Sequence, residues 1–194
     1  MVAAIGIDRP MPARLSVTEI GVILDSRQAR TLGGEPISAL AHALQTAWMA
    51  QQSRADEALI AAALLHDLGH LLASTDDDLD DHHELTVLPY LGGFPLTVTE
   101  PIRLHVDAKR YLCRRDYTET LTTESIRSLN VQGGPMDDTT SRSFLRQPFS
   151  AQALALRLWD DRAKVPGLTT PPLAHFLRIL ERVYLPAAAL PDAL

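Results

Sequence analysis

Asp56-Glu57-Ala58-Leu59-Ile60-Ala61-Ala62-Ala63-Leu64-Leu65-His66-Asp67-Leu68-Gly69-His70 is the stretch whose reading decides the fold. Asp56 is a helix-opening residue, and the residues from Ala58 to Leu65 are apolar on every face of the helix it opens. A helix of that kind is buried all round, so it belongs at the centre of the molecule. It ends in His66, Asp67 and His70. Buried polar groups need partners, and packing gives no reason to close an apolar helix with three of them. Four residues apart, His66 and His70 share a helix face. His66 and Asp67 point about 100° apart within a helix, yet at a fraying end both can turn toward one ion.

Working outward, the same residue types recur in apolar surroundings. Ala41 and Ala43 flank His42, Leu104 precedes His105, Leu158-Trp159 precedes Asp160, and His83 follows an acidic run. Of the seven histidines, four fall at these positions. Each has an ordinary reading as a hydrogen-bonded core residue, but together imidazole and carboxylate on apolar helices suit iron, zinc or manganese. Six such side chains exceed what one ion usually draws from protein, which points to two metals sharing a bridging carboxylate. Asp76-Asp77-Asp78 lacks the glycine and terminal glutamate of a calcium loop and reads as a solvated loop.

Composition sets milder limits. The 194 residues, 46% of them hydrophobic, suffice for one domain with a sizeable core. A net charge of -6 argues against a broad nucleic-acid surface, though small anions can bind where basic residues converge. With Cys113 alone there is neither an internal disulfide nor a thiolate zinc site. The apolar runs are too short to span a bilayer, and the first fourteen residues lack signal-peptide features. The expected setting is a reducing cytoplasm, with no membrane or nucleic-acid partner.

The chain reads as all-α. Ser16-Val17-Thr18-Glu19 has a capping-box pattern, opening a helix that ends before Gly33-Gly34. Pro36 suits the first turn of the next, which carries His42 and Trp48 to about Gln52. The central helix runs from Asp56 through His70. His82-His83-Glu84 starts a short one that stops near Gly92-Gly93, and Thr99-Glu100-Pro101 opens another bearing His105 and Lys109. A helix over 122–130 stops at Gln132-Gly133-Gly134, Ser150 caps a long one with Asp160, and Thr170-Pro171 starts the last, through Tyr184. Residues 1–14 and 187–194 are expected to lie outside a single domain over 15–186.

His42, His66-Asp67 and Asp160 resemble the HD-domain superfamily, named for its His-Asp pair, most of whose members are metal-dependent phosphohydrolases. His83 and His105 add similarity to its dinuclear subgroup. Four segments are similar to the HD-domain mixed-valent di-iron oxygenases that cleave organophosphonates. They are Leu64-Leu65-His66-Asp67-Leu68-Gly69-His70, the run from His105 to Leu112 with Lys109-Arg110, the Gln132-Gly133-Gly134-Pro135-Met136 turn, and Leu158-Trp159-Asp160-Asp161-Arg162-Ala163-Lys164. This resemblance covers about Glu35 to Lys164. The lysine motif and the Gln-Gly-Gly turn are its most specific parts.

The resemblance implies an HD bundle with a buried dinuclear centre of one ferrous and one ferric ion. His42, His66, Asp67 and Asp160 would hold one iron, and Asp67 would bridge to a second held by His83 and His105. Asp161 competes with Asp160 and His82 with His83, because each pair is adjacent; His83-Glu84 fits the family's helix start better. Glu35, seven residues before His42, matches a substrate-sensing glutamate. The family's gating tyrosine is replaced by Leu32, a departure that enlarges the pocket. Lys109, one turn after His105, is the natural counter-ion for a phosphonate. His70, Ser128, Gln132 and Gly133 are further substrate-binding candidates, although Gly133-Gly134 also reads as a plain helix stop.

The implied reaction takes dioxygen and a 1-hydroxyphosphonate to phosphate and a carboxylic acid. A 2-amino-1-hydroxyethylphosphonate would give glycine. A 1-hydroxy-2-(trimethylammonio)ethylphosphonate would give glycine betaine, and the wider pocket leans toward it. The competing readings are a metal-dependent phosphohydrolase, in which bound water attacks phosphorus, and a non-catalytic HD-fold sensor.

Overall fold

Short polar side chains start most of these helices by taking up the amides that a first turn leaves without partners. The structure, a computed structural model, describes residues 14–26, 37–72, 82–114 and 121–185, the side chain of Glu124 excepted. Among them are ten α-helices: α1 (Val17–Ser26), α2 (Ala39–Gln52), α3 (Glu57–Leu65), α4 (Leu68–Leu72), α5 (His83–Thr86), α6 (Leu96–Leu112), α7 (Thr123–Val131), α8 (Asp138–Leu145), α9 (Ser150–Arg162) and α10 (Leu173–Val183). A 3-10 turn (Leu88–Tyr90) links α5 to α6. Arg14 and Leu91 form an isolated β-bridge, and no strand occurs among the described residues. None of the described helices is long and apolar enough to cross a membrane.

The capping box forms as expected: Ser16 Oγ accepts from the Glu19 amide at 3.2 Å, and the Glu19 carboxylate accepts from the Ser16 amide at 2.9 Å. Asp56 caps α3 by accepting from the Leu59 amide at 2.8 Å.

Several boundaries differ from the sequence reading. α2 begins at Ala39, with Ser38 capping it through the Ala41 amide. α6 begins at Leu96, so Pro101 lies inside it. That proline withholds one backbone donor, but Val98, Pro101 and Ile102 are all buried, and that packing offsets the loss. α8 was not foreseen; Asp137 caps it, accepting from the Thr140 amide at 2.7 Å. Phe149, at φ 65°, precedes α9 in place of the expected Ser150 cap, and α10 starts at Leu173 behind Pro172. The segments with Leu32, Gly33-Gly34, Glu35, Pro36 and Asp76-Asp77-Asp78 lie outside the described residues.

α3 occupies the centre. Every residue from Leu59 to Leu65 is buried, and the helix packs on α2, α6, α9 and α10. Side chains such as Leu64 and Leu65, essentially without solvent contact, each contribute roughly 2 kcal/mol of transfer free energy. A second, smaller cluster of Leu104, Ala108, Met136, Phe144 and Ala153 sits where α8 meets α6 and α9.

The expected single helix from Asp56 to His70 breaks at His66-Asp67, and α4 carries His70 separately. The break turns His66 and Asp67 toward a common centre. Gly69 then lets α4 come close to α5: a Cβ on Gly69 would stand 2.3 Å from the His83 carbonyl oxygen.

Candidate metal centre

Four helices and the break after α3 each deliver one or two polar side chains to one buried volume. His42 comes from α2, His66 and Asp67 from the break, His83 from α5, His105 from α6 and Asp160 from α9. They form two groups able to hold a metal ion, His42-His66-Asp67 and Asp67-His83-His105.

In the first, His42 Nε2 lies 3.3 Å from His66 Nε2, 3.5 Å from Asp67 Oδ2 and 3.2 Å from Asp160 Oδ1. In the second, His83 Nε2 lies 3.0 Å from His105 Nε2 and 3.4 Å from Asp67 Oδ1. Asp67 thus turns one carboxylate oxygen to each group. Asp160 adds a fourth donor to the first.

Backbone carbonyls fix the imidazole tautomers. His42 Nδ1 faces Ala163 O at 2.9 Å, His66 Nδ1 faces Ala63 O at 3.0 Å, and His105 Nδ1 faces Ile102 O at 2.7 Å. A nitrogen facing a carbonyl must carry the hydrogen, so each Nε2 presents its lone pair. In the first group the lone pairs of His42 and His66 therefore confront each other beside two carboxylates. Only a cation at their common centre satisfies that arrangement, whether a proton or a metal ion. His83 Nδ1 makes no hydrogen bond; the Glu84 carboxylate stands 3.7 Å from it.

The ionisation equilibria point the same way. Burial opposes charge on His42, but Asp160 and Asp67 outweigh it and raise its pKa to about 10. Burial likewise opposes charge on Asp67, yet His66, His42 and His83 hold its carboxyl well below the usual range. Burial, with His83 and His66 beside it, pushes His105 well below an ordinary histidine, so it stays a neutral donor. The donor set, imidazole nitrogen and carboxylate oxygen without thiolate, fits a first-row transition metal.

The structure separates the adjacent pairs that the sequence left open. Asp160 faces the histidines, whereas Asp161 takes the Nε and Nη2 of Arg157. His83 is buried in the second group, and the His82 side chain is 71% exposed. His70, expected to share a helix face with His66, instead stacks on His83 with ring centroids 3.8 Å apart.

Lys109, Ser128 and Gln132 are brought together. Buried Lys109 donates to Ser128 Oγ and, at 3.1 Å, to Gln132 Oε1. Gly133 lies beyond the end of α7 at φ 92°, under the Arg110 guanidinium. Its neighbour Gly134 closes the helix by donating its backbone N–H to Leu129 O at 2.8 Å. Glu35 lies outside the described residues.

Sequence reasoning passed over Arg157. This buried guanidinium forms an ion pair with Asp160, Nη1 standing 2.7 Å from Oδ2, and leaves Oδ1 for the histidines. Burial opposes charge on Asp160, but Arg157 and then His42 hold its carboxyl well below the usual range. The signal was present in its i,i+3 and i,i+4 spacing to Asp160 and Asp161.

No family model matches the chain. Among curated proteins it is 38% identical to the 1-hydroxy-2-(trimethylamino)ethylphosphonate dioxygenase (glycine-betaine-forming) of Leisingera caerulea, across 84% of this chain and 88% of that protein. It is 44% identical to the hydroxymethylphosphonate dioxygenase of Gimesia maris, across 73% of this chain and 75% of that protein. An uncharacterised protein of Acanthamoeba polyphaga mimivirus is 30% identical across 76% of this chain. Two relatives of that similarity, each covering most of the chain, establish that it belongs to the family of phosphonate dioxygenases and carries that chemistry on an all-α bundle of the HD type.

Proposed function

We propose that the chain is a di-iron dioxygenase that cleaves the carbon–phosphorus bond of a 1-hydroxyphosphonate, with 1-hydroxy-2-(trimethylammonio)ethylphosphonate as the first substrate to test. The observation that carries this reading is the pair of donor groups sharing Asp67, in a chain whose relatives are named as dioxygenases of such compounds. A second substrate, hydroxymethylphosphonate, is favoured by the relative named for it.

His42, His66, Asp67 Oδ2 and Asp160 Oδ1 would hold one iron, and Asp67 Oδ1, His83 and His105 the other. Bound there, the irons supply the redox chemistry that dioxygen requires and an anchor for the substrate's hydroxyl and phosphonate oxygens. The protein's own share is positional. Carbonyl oxygens of Ala163, Ala63 and Ile102 orient three imidazoles, and Arg157 fixes which oxygen of Asp160 faces inward. Lys109 meets the phosphonate together with Ser128, Gln132 and the turn at Gly133. His70, stacked on His83, offers a hydrogen bond to the substrate, and Glu35 senses the substituent on the carbon chain. With hydroxymethylphosphonate the overall change is substrate plus dioxygen to formate and phosphate, and the new carboxylate oxygen derives from dioxygen.

The iron-loaded protein, given each hydroxyphosphonate under isotopically labelled dioxygen, should consume dioxygen and place one labelled atom in the acid product. Phosphate release at full rate under strict anaerobiosis would overturn the oxygenase and restore a hydrolase in which bound water attacks phosphorus.

A further inference from the structure

Lys164 has no part in the arrangement above, yet its place in the fold is specific. It follows Ala163, whose carbonyl oxygen orients His42, and it lies four residues after Asp160. Its backbone therefore adjoins the first donor group. From there the side chain reaches α7 and donates to Ser125 Oγ at 3.1 Å. Lys109 arrives from the opposite side, one turn beyond His105 of the second donor group, and donates to Ser128 Oγ.

Ser125 and Ser128 are three residues apart on α7, so they share a face with Cβ atoms about 5–6 Å apart. Ser125 is buried. Its oxygen accepts from both Lys164 Nζ and Thr122 Oγ1, the latter at 3.1 Å. With both lone pairs engaged, its own hydroxyl proton is left to donate. Two ammoniums, one from each half of the metal centre, thus meet adjacent serine hydroxyls on one helix. Ammoniums and hydroxyl protons side by side along one helix are what a dianion with three equivalent oxygens requires. A carboxylate needs only one such arm.

We propose that Lys164 and Ser125 form a second arm of the anion site, so that the phosphonate is held between two lysines and a dianionic head group is selected over a monoanionic one. The proposal rests on the phosphonate reading of this site and specifies its charge preference. Lys109 sets the end of the head group nearer His105, and Lys164 sets the end nearer Asp160.

The test uses the metal-loaded protein and two readouts. Calorimetric titration with inorganic phosphate at mildly alkaline pH, where it is mostly dianionic, should show K164M binding about 10- to 100-fold more weakly than the parent, the loss expected for a hydrogen bond to a charged group. S125A should lose less, and K164R should recover most of the affinity. In turnover of hydroxymethylphosphonate, K164M should raise KM by a similar factor and change kcat by less than about threefold, whereas the monoanionic hydroxymethyl(methyl)phosphinate should bind parent and variant alike. Parental phosphate affinity in K164M, alongside clear loss in K109M, overturns the second arm; so does a parent that binds no phosphate at millimolar concentration. If the parent binds phosphate through Lys164 but oxidises no phosphonate, the second arm stands and the proposed reaction falls.

Discussion

Asp67 and its neighbours show how one residue's chemistry depends on the atom it presents. One carboxylate oxygen faces each donor group, so loss of a ligand on one side should leave the other side intact. H83A should bind about one metal ion per chain where the parent binds two, with helical content near the parent's; elemental analysis with far-ultraviolet circular dichroism measures both. A variant that still holds two ions would mean exposed His82 can replace His83. His42 gives a second prediction. Its pKa of about 10 in the metal-free protein lies above the unfolded value of about 6.5. The stabilisation it provides is therefore fully present below about 6.5 and is lost as pH rises through 10. At pH 8 the proton is still bound, so a metal taking its place must displace it. Calorimetric loading at pH 8 in buffers of different ionisation enthalpy should report release of about one proton from this site, falling toward zero in H42A. The residue types that gather at the centre were readable in the sequence because four histidines interrupt apolar runs. The choices between Asp160 and Asp161, and between His82 and His83, were not, since a one-residue shift rotates a helical side chain by about 100° without changing the local composition.

At the level of elements, the centre exists because the helix that enters the core does not continue through it. The apolar run to Leu65 fixed α3 as the central helix, and its composition announced that plainly. The break after it was hidden: an isolated glycine such as Gly69 is tolerated inside a helical pattern, and only the ring of facing donors makes the turn worthwhile. α8 was missed for the opposite reason. Its stretch is polar and only Ser141 and Phe144 are buried, so hydrophobic periodicity gave little, while the Asp137 cap gave a signal that was not used. Pro101 misled by looking like a first-turn residue. Gly69 tests how tightly the break is built. In G69A the added methyl would stand 2.3 Å from the His83 carbonyl oxygen, so α4 and α5 must separate and His83 must move. The expected result is a lowered melting temperature together with loss of metal from the second group first. Scanning calorimetry and elemental analysis should show both; unchanged metal content would place His83 outside the second group's control.

Across the whole molecule, stability and the candidate centre are separable. The larger apolar cluster draws on α1, α2, α3, α6, α9 and α10 through residues such as Leu24, Ala47, Leu64, Ile102, Leu156 and Phe176. None of the candidate metal donors belongs to that cluster. The donor side chains come from α2, the α3–α4 break, α5, α6 and α9, so bound ions tie α5, which adds no residue to that cluster, to elements that the core already assembles. Stripping the metal with a chelator should therefore leave a folded helical bundle of lower stability. An ion present at 100 to 1,000 times its dissociation constant contributes about 2.7–4.1 kcal/mol. For a chain of this size, each kcal/mol corresponds to about 2–4 °C of melting temperature. The metal-free protein should melt roughly 5–15 °C below the loaded one while keeping its far-ultraviolet spectrum at 20 °C, and returning metal should restore the difference. A melting temperature indifferent to metal would mean that the six side chains bind no ion. Loss of helix on chelation would mean that the core is insufficient alone and that His42, Asp67 and their partners hold α2, α5, α6 and α9 in place as well as serving the reaction.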